Sequence, residues 1–342
     1  MHLSIFTRYA VASSALVALL AGCAGGGSQT AVPATQNALK SAARSDQAFV
    51  STTSKGFMQQ VDAKSALVYM SSWGTLSDVN VFTLSGKQVG QIINGLANQS
   101  PEGLFVDGKS NLWVASVAPI GNVLVYPRGA LSPSKELTDR IGGPVDVTVC
   151  PDGTAYVANS YNAKNNNTAS VQVYAPGSTK PTGTLTYTPD FRNPFLACDA
   201  AGNVFVSLLT SDSVGAGRVI EFPGGKQAGA KDLGITLQVP GGIKPDKAGN
   251  LLVTDLAAET ITEYTEAGAP TGHSINTGTN IEGIAVSGDG ATVIGAAIDL
   301  TEGIAWSFPA GKEKTIFSCC SRIEPPLQVN YGVAIDPGQT GI

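Results

Sequence analysis

Histidine is almost absent from this chain of 342 residues: one stands at position 2 and the other is His273. Sites that hold zinc or iron through several imidazoles are therefore excluded. Charge is sparse too, with charged residues at 14% and a formal net charge of −5. An acidic chain without a basic stripe lacks the groups that neutralise phosphates, so nucleic acid is not an expected partner. There is no GxSxG turn, no phosphate-binding loop leading into a helix and no GxGxxG ahead of one. Those absences remove the common hydrolase and nucleotide-binding signatures. What the chain has in abundance is glycine, at 40 residues, and proline, at 19. At this length one large domain can bury most of its unfolded surface.

No apolar run reaches the ~20 residues that a membrane-spanning helix needs. The run that comes nearest follows Arg8 and extends from Tyr9 to Ala21, which is the size of a signal-peptide core. It ends in Leu20-Ala21-Gly22-Cys23, which resembles the bacterial lipobox. The resemblance implies removal of residues 1–22 and acylation of Cys23, anchoring the chain on the outer face of a membrane. Each buried methylene adds ~0.8 kcal/mol to such an anchor. Ala24 rather than aspartate follows the cysteine, which implies the outer membrane where the cell has one. Residues 23–60, opening AGGGSQTAVPATQ, are small, polar and aperiodic, and read as the lipid-attachment site and a flexible tether. The globular part is expected over 61–342.

Within it one phrase recurs. PEGLFVDGKSNLWVAS at Pro101 is echoed by PVDVTVCPDGTAYVAN at Pro144, NPFLACDAAGNVFVSL at Asn193 and GGIKPDKAGNLLVTD at Gly241. EGIAVSGDGATVIGA follows at Glu282 and YGVAIDPGQTGI at Tyr331, so the copies lie about 41 to 49 residues apart. Each copy reads as strand, polar turn, strand, with a third strand such as NVLVYPRG or VQVYAPGS behind it. That spacing is typical of one four-stranded propeller blade. ALVYMSSWG at Ala66 and DVNVFTLSG at Asp78 look like second and third strands without a first, whereas Tyr331 to Asp336 is a first strand without successors. Joining the two predicts an all-β, six-bladed β-propeller whose C-terminal strand completes the N-terminal blade and leaves no open edge.

The recurring pieces need no catalysis. Glycine at turns supplies positive φ, and Asp107, Asp199, Asp246 and Asp336 stand at equivalent places where aspartate caps a tight turn. Residues that do not repeat are better site candidates. In the slot where other copies carry Gly103, Gly242, Gly283 and Gly332, the second copy has Asp146. The slot before it holds Glu102 and Glu282 in two of the copies. These acids could approach a common axis, where propellers bind ligands.

Pro240, Gly242, Ile243, Asp246, Gly249, Asn250, Val253, Asp255, Ile261, Tyr264 and Gly268 resemble the NHL repeat, and the array is similar to NHL and gluconolactonase-like six-bladed propellers. That resemblance implies a divalent cation, commonly calcium, held in the channel by Glu, Asn and Asp. Glu102 looks like the Glu, Asp146 stands where the Asp could be, and Asn193 fits only with a shift of one residue. The NGL and PDG strand openings expected of the other ligands are missing. Histidine-dependent streptogramin-lyase-like members of the scaffold are disfavoured, because His273, in APTGHS, reads as a solvated loop residue. The expectation is thus a binding module for a protein or small ligand, without turnover and without cofactor. The rival is a calcium-dependent lactonase using Glu102, Asp146 and Asn193 or Glu282.

Cys150 and Cys198 lie in adjacent first strands, one register apart. Their side chains leave opposite faces, and opposite faces of neighbouring blades pack together, so a disulfide and two free thiols are both open. Cys319 and Cys320 could bridge each other, pair elsewhere or stay as buried thiols. Cysteines in this number suit an oxidising compartment.

Overall fold

The computed structural model describes residues 56–337 except 74–76, 97–98, 118–120, 139–141, 163–168, 188–190, 211–216, 299–301 and 319–328. The described residues all belong to a compact unit spanning 48–342. Cys23, the leader, most of the tether, Cys319 and Cys320 lie outside them. No helix among the described residues is long and apolar enough to cross a membrane.

Six antiparallel sheets make the fold, one per blade. Blade 1 combines Leu67–Trp73, Asp78–Thr83 and Gln88–Ile92 with the C-terminal strand Val329–Asp336 and a short outer strand, Phe57–Met58. Blades 2 to 6 open with Pro101–Val106, Gly142–Val149, Phe191–Cys198, Pro240–Pro245 and Ile281–Val286, and each continues outward through three more strands in chain order. Phe57–Met58 pairs with Gly90 and Gln91, so the sheet starts a few residues inside the stretch read as tether.

Alternation along each strand sends side chains to both neighbouring blades, because successive Cβ atoms leave opposite sheet faces. In blade 2, Leu112 and Val114 pack on Tyr69 and Val81 of blade 1, whereas Trp113 and Ala115 pack on Val147 and Val157 of blade 3. Each remaining pair of neighbours shares an apolar cluster of the same kind. A fully buried Leu, Val or Ile contributes about 1.5–3 kcal/mol, so blade contacts rather than a central core hold the ring.

Closure is by backbone pairing of the two chain ends of the propeller. Leu67 faces Asp336, Val68 faces Ile335 and Met70 faces Val333 in antiparallel register. Asp336 does more than its counterparts in the other copies. Its buried carboxylate accepts from Ser110 Oγ at 2.8 Å and from the Arg128 guanidinium, both in blade 2. The same guanidinium donates to the Ser65 carbonyl just ahead of the second strand. One arginine thus ties the last strand, the first blade and the next blade together. By contrast, Asp107, Asp199 and Asp246 cap their turns as expected, each accepting from the backbone N–H four residues on at 2.8–2.9 Å.

The open question on cysteine is resolved by the blade 3 to blade 4 interface. Cys150 and Cys198 form a disulfide, with Cα atoms 5.4 Å apart, within the usual range. Both sit in the apolar cluster between these blades.

Two outcomes follow from closure and cross-linking. Asp336→Ala leaves the Arg128 charge without its partner and should lower stability by about 3 kcal/mol, read as a fall in denaturation midpoint at unchanged slope. A non-reduced peptide digest should yield one species joining the Cys150 and Cys198 peptides, and its replacement by two free-thiol peptides would contradict the pairing.

Candidate functional site

The axis of the ring is crowded with backbone. Every first strand carries a register shift at the same place, between Pro101 and Leu104, at Val145, between Arg192 and Phe195, Pro240 and Ile243, Ile281 and Ile284, and opposite Met70 and Ser72. Such bulges re-aim side chains and bend the strand. They let neighbouring first strands touch. A Cβ added to Gly103 would come 2.6 Å from the Val145 carbonyl oxygen, and one on Gly332 would strike the Glu102 carbonyl. Glycine in this slot therefore serves close approach, not the positive φ that turn glycines such as Gly249 (φ +89°) require. Hydroxyls from second strands satisfy the bulged backbone. Ser71 Oγ donates to the Glu102 carbonyl at 2.6 Å and accepts from Gly332 N–H at 2.8 Å, while Ser207 and Thr254 donate to Gly241 and Gly242.

Three of the expected acids converge here. A cavity of about 10 Å³ is lined by Glu102, Asp146, Glu282, Lys244, Phe195 and Tyr331 among others, on a scale where one water needs about 10–15 Å³. Glu102 and Glu282 accept no hydrogen bond from a described residue and keep only partial exposure. Burial, then the charges of Glu282 and Asp146, hold the Glu102 carboxyl well above the usual carboxylate range. Burial alone pushes Glu282 up to about 8. Both glutamates thus hold their protons more tightly than a solvated carboxyl does.

Asp146 is different because the fold has spent its oxygens. Oδ1 accepts from Val147 N–H at 2.9 Å and Oδ2 from Leu196 N–H at 2.8 Å. Lys244 Nζ lies 3.8 Å from Oδ2 and donates to the Leu196 carbonyl at 2.8 Å. Burial raises the Asp146 carboxyl, and the Lys244 charge and the two N–H bonds oppose the rise. Lys244 is 9% exposed and was not among the expected site residues. Its signal was legible: the same slot in the other copies holds Phe105, Thr148, Ala197, Ala285 and Ala334, all uncharged.

Asn193 does not join the group. It is exposed, adopts φ +45° on the bulge of blade 4 and leaves Phe195 to face the axis. A calcium ion takes roughly 6–8 oxygens at 2.3–2.6 Å. Here the Asn is outside, both Asp146 oxygens are engaged, and an ammonium stands beside them. Among the described residues no group of three or more His, Cys, Asp or Glu is placed to hold a metal ion. The residues present do not fit calcium.

One other reading changes. His273 is in the strand Pro270–Asn276 rather than a loop, with Nδ1 2.8 Å from Oε2 of the buried Glu263. Hydrogen bonds from Thr271 and His273 help to lower the Glu263 carboxyl against its burial. GLFVDGKS, from Gly103 to Ser110, spells the letters of a phosphate-binding loop. Its first four residues are strand and the next element is the strand Leu112–Ser116, so no helix N-terminus is there to meet a phosphate.

With this geometry in place, the chain can be set beside known proteins. No family model matches it and no curated protein matches it. Solved structures do. A chain of the crystal structure of a nidogen/laminin complex superposes with a TM-score of 0.62 at 13% identity, covering 79% of this chain and 98% of that one. A protein of unknown function from Bacteroides caccae superposes at 0.56 with 10% identity, covering 80% and 99%. The WD40 propeller domain of Doa1 superposes at 0.53 with 11% identity, covering 82% and 90%. The chain is a six-bladed β-propeller. At these identities the likeness concerns the fold alone.

The buried acids set a pH dependence. Glu282 has a folded pKa of about 8 against 4.5 for the unconstrained group, so its native form keeps a proton that the unfolded form loses. Its contribution is full below about 4.5 and disappears as pH rises through about 8; Glu102 and Asp146 shift in the same direction. Thermal melts should therefore decline between pH 5 and 8. Glu282→Gln should flatten that decline and melt roughly 2 °C or more above the parent at pH 8.

Proposed function

We propose that the chain is an exported, lipid-anchored β-propeller that binds a protein or small ligand without turning it over. The axial cavity carries this reading: about 10 Å³ is far below the roughly 300–1,000 Å³ of sites that enclose a small-molecule substrate. Little space is left among the acids. Recognition then belongs to the rim and outer surfaces of the ring, as loops on a rigid scaffold commonly provide. Propellers that resemble this one at the level of fold include a chain from a nidogen/laminin complex, which makes a protein partner reasonable. The gluconolactonase-like activity implied by the repeat loses support, because its cation does not fit.

Export is supported by two features that act separately. The stretch Leu20-Ala21-Gly22-Cys23 fits acylation at Cys23 in the bacterial cell envelope, on the outer membrane where there is one. The Cys150–Cys198 disulfide suits an oxidising compartment.

In bacteria fed labelled palmitate, the chain should take up label and fractionate with membranes, and Cys23→Ser should abolish the labelling. Label persisting in that variant would remove the anchor. A lactone panel with calcium present should show no turnover above that of Glu102→Gln; turnover lost in that variant would restore the enzyme reading.

A further inference from the structure

Two residues beyond the aromatic that ends its third strand, blades 2 to 5 carry Arg128, Pro176, Gly224 and Glu266, the polar or small residues that turn tips usually take. Blade 1 carries Leu84 there. It is 41% exposed, and among the described residues it is the large apolar side chain left in the open. Its turn is closed by its own backbone. Thr83 N–H donates to the Lys87 carbonyl at 2.9 Å and Gly86 N–H to the Thr83 carbonyl at 3.0 Å, with Gly86 at φ +85°. The fold thus presents Leu84 at a fixed tip.

Lys64, Lys87 and Lys109 are exposed on this turn and its neighbours. None of the three is in an ion pair with a described residue. The seam gathers their turns: Asp336 accepts from Ser110, beside Lys109, and from Arg128, which also donates to the Ser65 carbonyl, beside Lys64. Leu67 faces Asp336 on one side and Thr83 on the other, which sets the Leu84 turn next to Lys64. Among the described residues the turns of blades 1 and 2 expose one carboxylate, Asp62, which accepts from Lys64 N–H at 2.8 Å. Blade 6 beside them is balanced, with Lys312 and Lys314 against Asp289 and Glu313.

Unpaired ammonium groups about an apolar tip match a surface that offers anionic headgroups over hydrocarbon. The segment carrying Cys23 enters the ring at this same blade, through the outer strand Phe57–Met58. We infer that the turns of blades 1 and 2 dock on an anionic phospholipid membrane, with Leu84 entering the headgroup layer and the lysines meeting phosphates. The setting of this contact, though not its chemistry, rests on the anchored reading proposed above. Docking would decide which side of the ring meets lipid. Glu102 and Glu282, at the opposite ends of their first strands, would then face away from it.

The test uses residues 24–342, which keep the whole compact unit and lack both the leader and Cys23, so its result is independent of acylation. This chain should sediment with vesicles of phosphatidylglycerol and phosphatidylcholine, not with phosphatidylcholine alone, and added salt should release it. Lys87→Glu with Lys109→Glu should weaken binding by roughly 25-fold or more, about fivefold for each lysine charge removed. Leu84→Ser should weaken it by roughly fivefold. Lys180→Glu with Lys226→Glu, the same charge change on the turns of blades 3 and 4, should leave it intact, and all variants should melt with the parent. No binding to the anionic vesicles, equal binding to phosphatidylcholine alone, or equal loss in both double variants would each overturn the inference. Binding that follows the expected pattern supports it even where Cys23 takes up no palmitate.

Discussion

The close approach of six first strands around one axis is the constraint on which the rest of this structure depends. Where strand meets strand it leaves little room, and glycine fills that place in four of the six copies: Gly103, Gly242, Gly283 and Gly332. It also requires the bulges that turn adjacent side chains inward, and hydroxyls such as Ser71 and Ser207 to satisfy the carbonyls so exposed. Once backbones are this close, little space remains between them. The cavity is small because the ring is tight, and burial there raises the carboxyl groups of Glu102, Asp146 and Glu282.

The same constraint explains why charged groups at the axis act as scaffold. Asp146 stands in the glycine slot, and its carboxylate is absorbed by backbone N–H groups of its own blade and the next. Arg128 and Asp336 do the corresponding work further out, at the seam where the chain closes on itself. In both places a charge pair joins different blades.

Much of the architecture was legible in the sequence because each blade must solve the same packing problem. The repeated aspartates, the turn glycines and the missing first strand before Ala66 all report local or periodic requirements, and these survive translation into three dimensions. Asp107 proves to be a turn cap, and Glu102 and Glu282 do reach the axis. What stayed hidden rests on pairings between strands. Nothing along the chain brings Leu196 and Asp146 beside Lys244, and His273, exposed as expected, stands in a strand with Glu263 rather than in a loop. Asn193, which fitted the resemblance only with a shift of one residue, stands exposed on the bulge of blade 4.

Hydrogen exchange across the seam is the most direct test of the closed ring. If Val329–Asp336 completes blade 1, the amides of Val333 to Ile335 should be protected as strongly as those of Leu104 to Val106 in the unbroken blade 2, and should exchange only with global unfolding. Exchange of Val333 to Ile335 at the rate of an unpaired segment, with blade 2 still protected, would contradict the account.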